Sequence, residues 1–299
     1  MIARCTVTLM LAAVCAAGCT AASSTREGNH ADRTEQAAVQ QALDASIDSA
    51  VVGALIVVDD GDKTWQATAG SAVAGHRQPV DPDSIFRIGS ITKPFVATMV
   101  LLLINEGRIA LDGSVQQYLP GLLPAGYPPI TVRQLLQHTS GIPEFIDQLA
   151  GTAGQILDHR FQTYAPEELI GIATARPLRF APGTDMAYSN TNYLLLGMLI
   201  GKITGHRWDD ELQQRIAGPL GLTRTRDPGS DPRLPEPHAH GYLTRPDGSL
   251  VDITEMNTSG VDAAGSMISS ARELNAFFAA LLSGKLLSAR LVDQMTTPG

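Results

Sequence analysis

Two residues of one short motif have the types and the spacing that nucleophilic catalysis needs. Ser90 and Lys93 stand three residues apart in Ser-Ile-Thr-Lys, which puts both side chains on one face of a helix. A serine hydroxyl needs a base to take its proton, and a lysine serves when partial desolvation lowers its pKa. The dipole at the start of that helix would lower the lysine pKa further and favour negative charge at the serine. The pair therefore indicates a serine nucleophile with a lysine base, although a serine N-cap beside an exposed lysine would show the same spacing.

A second motif, Tyr188-Ser189-Asn190, lies just before an apolar segment with helical spacing. Its phenol could carry a proton near the nucleophile, and its amide could hold a substrate. The simpler interpretation is that Ser189 or Asn190 caps the helix that follows.

The elements that must position these motifs follow from hydrophobic periodicity and turn residues. A continuous β-branched run, a tight turn and an alternating run predict an antiparallel hairpin near the start of the chain. Most of residues 115–226 is predicted to be helical, with breaks at Pro and Gly. The predicted strands are residues 51–58, 63–73 and a small hairpin over 242–253, and the main predicted helices are residues 37–47, 90–103, 192–203 (closed by Gly205) and 271–282.

Strands that precede helices predict an α+β fold, with an antiparallel sheet flanked by helices and an inserted, mostly helical lobe. The α/β part is predicted to comprise about 36–95 and 255–299, and the helical lobe about 96–254.

Composition limits the classes of protein to consider. The chain has 299 residues, of which 44% are hydrophobic and 17% charged, so it can bury a core and is not disordered. Its net charge of −8 and its lack of a basic patch argue against a nucleic-acid partner. We find no phosphate-binding glycine loop. The pair His238 and His240 is a poor metal site because no third ligand is evident, so we expect no metal and no organic cofactor.

The N-terminus predicts export. One positive charge at Arg4 precedes an uncharged, Ala- and Val-rich run, so residues 1–22 are predicted to be a signal peptide and 23–35 a flexible tether. The run Cys-Ala-Ala-Gly-Cys ending at Cys19 is similar to a lipobox, in which that cysteine carries the lipid; ordinary cleavage after the signal is the alternative. The protein is thus expected outside the cytoplasm, either secreted or attached to the outer face of the membrane through Cys19. No cysteine follows Cys19, which excludes thiol catalysis.

Together, the two motifs resemble those of the penicillin-recognising serine hydrolases, namely D-alanyl-D-alanine peptidases, class C β-lactamases and related esterases. The Ser-x-x-Lys and Tyr-x-Asn boxes occur in the order of that family, and the resemblance extends from about residue 36 to the last residue. The flanking segments that match are Phe86-Arg87-Ile88-Gly89, Leu135-Leu136-Gln137-His138-Thr139-Ser140-Gly141, Pro182-Gly183 and Ala263-Ala264-Gly265-Ser266-Met267.

Within that family, the resemblance is strongest to secreted actinobacterial DD-carboxypeptidases. It implies that Ser90 is acylated, that Lys93 is the general base or proton relay, and that Tyr188 carries the proton to the leaving amine. Asn190 would bind the acyl-side amide of the substrate. The implied partners are peptidoglycan stem peptides and β-lactams, and the protein is expected to be a monomer without a cofactor.

The implied function is hydrolysis or transfer of the terminal D-Ala of cell-wall peptides through an acyl-enzyme on Ser90. A class C-type β-lactamase and a small-ester hydrolase are the alternatives among enzymes. A β-lactam or peptidoglycan sensor, or a non-catalytic wall-binding protein, is the alternative from another class, although the intact Ser90, Lys93, Tyr188 and Asn190 argue against a binder without catalysis.

The third box of the family, a His or Lys followed by Thr or Ser and then Gly, should follow the helix over 271–282, but the sequence ends at Gly299 without it. We therefore expect that C-terminal sheet strands are missing and that the chain is a fragment of a longer protein. Reading the gene beyond Gly299 should reveal that tripeptide, and an immediate stop codon would contradict this expectation.

Overall fold

A computed structural model describes residues 28–61 and 63–297 of the chain. Six strands are present in these ranges: β1 (Gly53–Asp59), β2 (Thr64–Gly70), β3 (Ile85–Arg87), β4 (Tyr242–Thr244), β5 (Leu250–Asp252) and β6 (Ile268–Ser270). The helices are α1 (Gly28–Ala45), α2 (Thr92–Asn105), α3 (Val115–Tyr118), α4 (Val132–Leu136), α5 (Ile146–Ala150), α6 (Ala153–His159), α7 (Pro166–Thr174), α8 (Asn190–Thr204), α9 (Trp208–Leu212), α10 (Gly218–Leu220), α11 (Ala271–Leu282) and α12 (Ala289–Thr296).

The predicted α+β class is confirmed, and the first hairpin forms where it was expected. β1 and β2 pair antiparallel from Gly53 opposite Gly70 to Asp59 opposite Thr64. Helix α11 covers this hairpin and is tied to it by Asn275, whose Nδ2 donates to the carbonyl of Val57 at 3.1 Å. A two-stranded hairpin is marginal alone, so this helix supplies the apolar surface that it needs.

The strands form three separate antiparallel pairs and not one continuous sheet in the described ranges. β4 pairs with β5 around the predicted second turn. β3 pairs with β6, with Phe86 opposite Ser269, and therefore joins segments nearly the length of the domain apart. This third pair is the most important for the site, because Ser90 follows shortly after β3 and residues 261–267 lead directly into β6.

The helical lobe is built around two apolar helices, α2 and α8, whose side chains are buried along most of their lengths. Helix α8 ends as predicted at Gly205, which has φ 86° in the left-handed region that favours glycine. The remaining helices of the lobe are short, as the frequent Pro and Gly residues indicated. Leu135, Leu169 and Phe145 bring these short helices into the same core.

Only part of the N-terminal prediction can be compared with the structure. The predicted signal over 1–22 and Cys19 lie outside the described residues. Helix α1 begins at Gly28, so the second half of the predicted flexible tether is helical and that part of the prediction is wrong. Contact with β2 stabilises this helix, since Gln40 Nε2 donates to the carbonyl of Thr68 at 3.1 Å. Across 28–61 and 63–297, we find no helix with the length and hydropathy that membrane crossing requires.

One glycine permits the closest contact between α8 and the segment that precedes β6. A Cβ on Gly197 would lie 2.5 Å from Ala263 Cβ and 3.3 Å from Trp208 Cδ1. Gly197→Ala should therefore force these elements apart and lower the free energy of unfolding by ~1–3 kcal/mol in urea denaturation. Gly201→Ala on the same helix is the control, because its Cβ would meet only the His206 carbonyl at 3.5 Å, and it should be neutral or stabilising. Equal stability of the two variants would contradict the close packing at Gly197.

Candidate active site

Ser90 lies in a single turn of 3-10 helix, Gly89–Ile91, which connects β3 to α2. Gly89 has φ 51°, a left-handed conformation that allows the chain to turn sharply after the strand. The Ser90 side chain is exposed and makes no capping hydrogen bond to the helix. Its hydroxyl instead meets two side chains, Lys93 and Tyr188. The N-cap interpretation of this serine is therefore wrong.

Lys93 is buried, with only 5% of its surface exposed, which also removes the interpretation of an exposed lysine. Its Nζ lies 3.1 Å from Ser90 Oγ. It also donates to Asn190 Oδ1 at 2.8 Å and to the backbone carbonyl of Ala264 at 2.6 Å. Three segments that are distant in sequence thus converge on one amine.

Burial lowers the pKa of Lys93 from its usual 10.5 to about 7, because desolvation disfavours the ammonium form. The negative charge of Glu144 opposes this effect and raises the pKa. A pKa near neutrality leaves a large fraction of the amine unprotonated at physiological pH, and this is the condition for a general base.

The partners of Lys93 also orient its lone pair. A neutral amine has two N–H bonds and one lone pair, and the oxygens of Asn190 and Ala264 act only as acceptors here. If those two oxygens take the two N–H bonds, the lone pair is directed at the third neighbour, the Ser90 hydroxyl. The Lys93 amine is therefore oriented to accept the proton of the Ser90 hydroxyl.

Tyr188 also contacts Ser90, with the two hydroxyl oxygens 2.7 Å apart. Burial raises the pKa of Tyr188 above its usual value, against a smaller lowering by the Ser90 hydrogen bond, and the charge of Glu144 adds a still smaller increase. The phenol therefore keeps its proton at neutral pH. In this state it can donate to a leaving group, while Lys93 acts as the base.

His138 forms the wall behind Tyr188. The two rings stack with their centroids 4.5 Å apart, and His138 has a positive φ of 58°. Desolvation and the nearby Lys93 charge lower the pKa of His138 to about 4, so the ring is neutral. Its Nδ1 accepts the backbone N–H of Ser189 at 3.2 Å and thereby fixes the segment that carries Tyr188.

Asn190 is the first residue of α8, and Glu144 caps that helix. Glu144 Oε2 accepts the backbone N–H of Asn190 at 2.7 Å and its Nδ2 at 2.9 Å. A carboxylate is well placed at this end because it satisfies a free N–H and meets the positive end of the helix dipole. The alternative in which Ser189 or Asn190 caps the helix with its own side chain is wrong, since Ser189 Oγ donates to the Pro143 carbonyl instead.

All four predicted site residues therefore meet in one place: Ser90, Lys93, Tyr188 and Asn190. The structure shows Asn190 holding Lys93 and bound to Glu144, and its contact with a substrate stays a prediction. Sequence reasoning missed the roles of Glu144 and the Ala264 carbonyl, and it gave His138 no role. The available signal was weak, because Glu144 follows the Gly-Ile-Pro break without a distinctive motif and a backbone carbonyl leaves no trace in sequence.

The sequence model of the β-lactamase family matches residues 32–298, nearly the whole chain. The chain belongs to this family. Among solved structures, a D-stereospecific amidohydrolase from Streptomyces sp. is 40% identical with a TM-score of 0.81, over 87% of this chain and 77% of that one.

Curated relatives of this family differ in their activities. Penicillin-binding protein 4* of Bacillus subtilis is 28% identical over 64% of this chain and 42% of its own length. Esterase EstB of Burkholderia gladioli is 32% identical over 70% of this chain and 56% of its own. The chain thus spans about half the length of these curated relatives.

Glu144 offers a test of the Lys93 base. Because the charge of Glu144 raises the pKa of Lys93, Glu144→Gln should lower that pKa. The acylation rate rises with pH, and the midpoint of that rise should fall below its wild-type value near 7. The sign follows from the need for neutral Lys93, which forms at lower pH when the anion is gone. Stopped-flow acylation by p-nitrophenyl acetate between pH 5 and 9 would measure the midpoint.

The matched control is Glu168→Gln. Glu168 also accepts a backbone N–H at a helix start, that of Ala165 at 2.9 Å, but does not contribute to the Lys93 shift. Both variants should lose some stability, and only Glu144→Gln should move the midpoint. A midpoint that stays or rises in Glu144→Gln would contradict the assignment of Lys93.

Proposed function

We propose that the protein hydrolyses amide bonds next to a D-amino acid through an acyl-enzyme on Ser90, with D-alanyl-D-alanine cell-wall peptides as its substrate. The observation that carries this proposal is the buried Lys93 amine 3.1 Å from Ser90 Oγ, with the Tyr188 hydroxyl 2.7 Å from the same oxygen. A base and an acid thus both contact one exposed nucleophile, as acyl transfer requires.

Proton transfers accompany both the formation and the hydrolysis of the acyl-enzyme. Neutral Lys93 takes the Ser90 proton as Oγ bonds to the substrate carbonyl carbon. Tyr188 then donates its proton to the leaving nitrogen as the carbon–nitrogen bond breaks, and Lys93 restores the phenol. In the second half, neutral Lys93 takes a proton from water as the water oxygen attacks the ester carbonyl carbon. Protonated Lys93 then returns that proton to Ser90 Oγ as the ester bond breaks and the acid is released.

Similarity to a penicillin-binding protein supports the cell-wall substrate and acylation by β-lactams, which would enter the site as mimics of the peptide. A second candidate is a hydrolase of simple D-amino-acid amides. It is favoured by the 40% identity to the Streptomyces D-stereospecific amidohydrolase over 87% of the chain. Both candidates use the same attack by Ser90 and differ only in the leaving group and the length of the substrate.

The acyl-enzyme is tested with a fluorescent penicillin and p-nitrophenyl acetate. Ser90→Ala should abolish covalent labelling by the penicillin and the burst of p-nitrophenol, because it removes the hydroxyl that contacts both Lys93 and Tyr188. Thr98→Ala, which removes a hydroxyl bonded within α2 to the Pro94 carbonyl, is the control and should keep both signals. Labelling or a burst that survives in Ser90→Ala would overturn the proposal.

A comparison of substrates separates the candidates. Release of D-alanine from diacetyl-L-lysyl-D-alanyl-D-alanine in preference to ammonia from D-phenylalanine amide supports the peptidase, and the reverse preference supports the amide hydrolase. A penicillin adduct that hydrolyses within seconds would indicate a β-lactamase, and a stable adduct without peptide turnover a sensor.

A further inference from the structure

The carbonyl that binds Lys93 belongs to a tight turn, which we call the 262 turn and define as residues 262–266. The carbonyl of Asp262 accepts the N–H groups of Gly265 and Ser266, both at 2.9 Å. Asp262 has φ 32°, a left-handed conformation that is uncommon for residues with a side chain, although Asp tolerates it better than most. This conformation bends the chain so that the Ala264 carbonyl points at Lys93 Nζ, 2.6 Å away.

A buried hydrogen bond holds Asp262 in this conformation. Trp208 Nε1, at the start of α9, donates to Asp262 Oδ1 at 2.9 Å, and both residues are buried. Two further charged groups face Asp262: Arg207, whose Nη2 is 3.8 Å from its Oδ1, and Asp227, itself 3.7 Å from the same Arg207 nitrogen. Burial, reinforced by Asp227, raises the pKa of Asp262 to about 6.

Close packing connects the Trp208–Asp262 pair to helix α8. Gly197 of α8 leaves room for Ala263 of the 262 turn and for the Trp208 ring. Helix α8 begins with Asn190, the other acceptor of the Lys93 amine. The Trp208–Asp262 pair therefore lies at the contact between the 262 turn and helix α8, the two elements that carry the acceptors of the Lys93 amine.

We propose that Asp262, held by Trp208, is a positioning residue that fixes the Ala264 carbonyl and through it the lone pair of Lys93. This inference rests on the proposed acyl-enzyme at Ser90, but it concerns a residue that touches neither the nucleophile nor a substrate. If the turn relaxes, Lys93 loses one of its two acceptors, and its lone pair is no longer confined to the direction of Ser90.

Loss of this acceptor has a signature that simple destabilisation lacks. The Ala264 carbonyl binds the ammonium form of Lys93 more strongly than the neutral amine, so its removal lowers the pKa of the amine. The acylation rate should fall because the base is misaligned, while its midpoint moves to lower pH. Partial unfolding would lower the amount of active protein and leave the midpoint unchanged.

The test compares Asp262→Ala, Trp208→Phe and Asp262→Asn in the acylation burst with p-nitrophenyl acetate from pH 5 to 9. Asp262→Ala and Trp208→Phe should each acylate roughly tenfold more slowly or worse, with a midpoint below the wild-type value near 7. Asp262→Asn keeps an acceptor oxygen and tolerates the left-handed backbone, so it should recover most of the lost rate. Trp65→Phe in β2 is the control for the tryptophan change and should match the wild type.

Thermal unfolding of each variant identifies any that fail to fold. If Asp262→Ala does not fold, the rates and midpoints of Trp208→Phe and Asp262→Asn test the role of Asp262. Wild-type rates in the alanine and phenylalanine variants, or slower rates with an unmoved midpoint, would overturn the role of Asp262. Those results would leave the proposed acyl-enzyme intact, because it is tested separately by Ser90→Ala.

Discussion

The removal of one amine from water is the constraint on which the rest of the site depends. A lysine in water is an ammonium ion that cannot accept a proton, and burial is what brings the pKa of Lys93 to about 7. A buried amine must still satisfy its N–H bonds, and it does so with the side chain of Asn190 and the carbonyl of Ala264. Desolvation lowers the pKa of Lys93 so that it can act as a base, and the two acceptors orient its lone pair.

That requirement explains why the fold brings distant segments together. Lys93 lies on α2, Asn190 begins α8, and Ala264 precedes β6, so the amine is satisfied only when all three have assembled. The pairing of β3 with β6 and the contact of α8 with the 262 turn provide this assembly. The core of the helical lobe therefore serves the site directly, since the helices it packs are those that carry the base and its partners.

The sequence predicted what depends on local pattern. The first hairpin, helix α11 and the end of α8 at Gly205 were predictable because alternation, helical spacing and a terminal glycine each act over a few residues. Ser90, Lys93, Tyr188 and Asn190 were found through their motifs. Glu144 on Asn190 and Trp208 on Asp262 were not, because each contact joins residues tens of positions apart and a single sequence contains no signal for such pairs.

Burial and the charge of Glu144 together set the pKa values of the base and the acid. Glu144 raises the pKa of both Lys93 and Tyr188, while burial moves the two groups in opposite directions, lowering the amine and raising the phenol. The result is a base that is available near neutrality beside an acid that keeps its proton, which is the separation that two-step acyl transfer needs. Nothing in that balance depends on the leaving group. The four side chains of the site are therefore compatible with peptidase, amidase and esterase chemistry, and selection among substrates must come from the surfaces that contact the acyl and leaving groups.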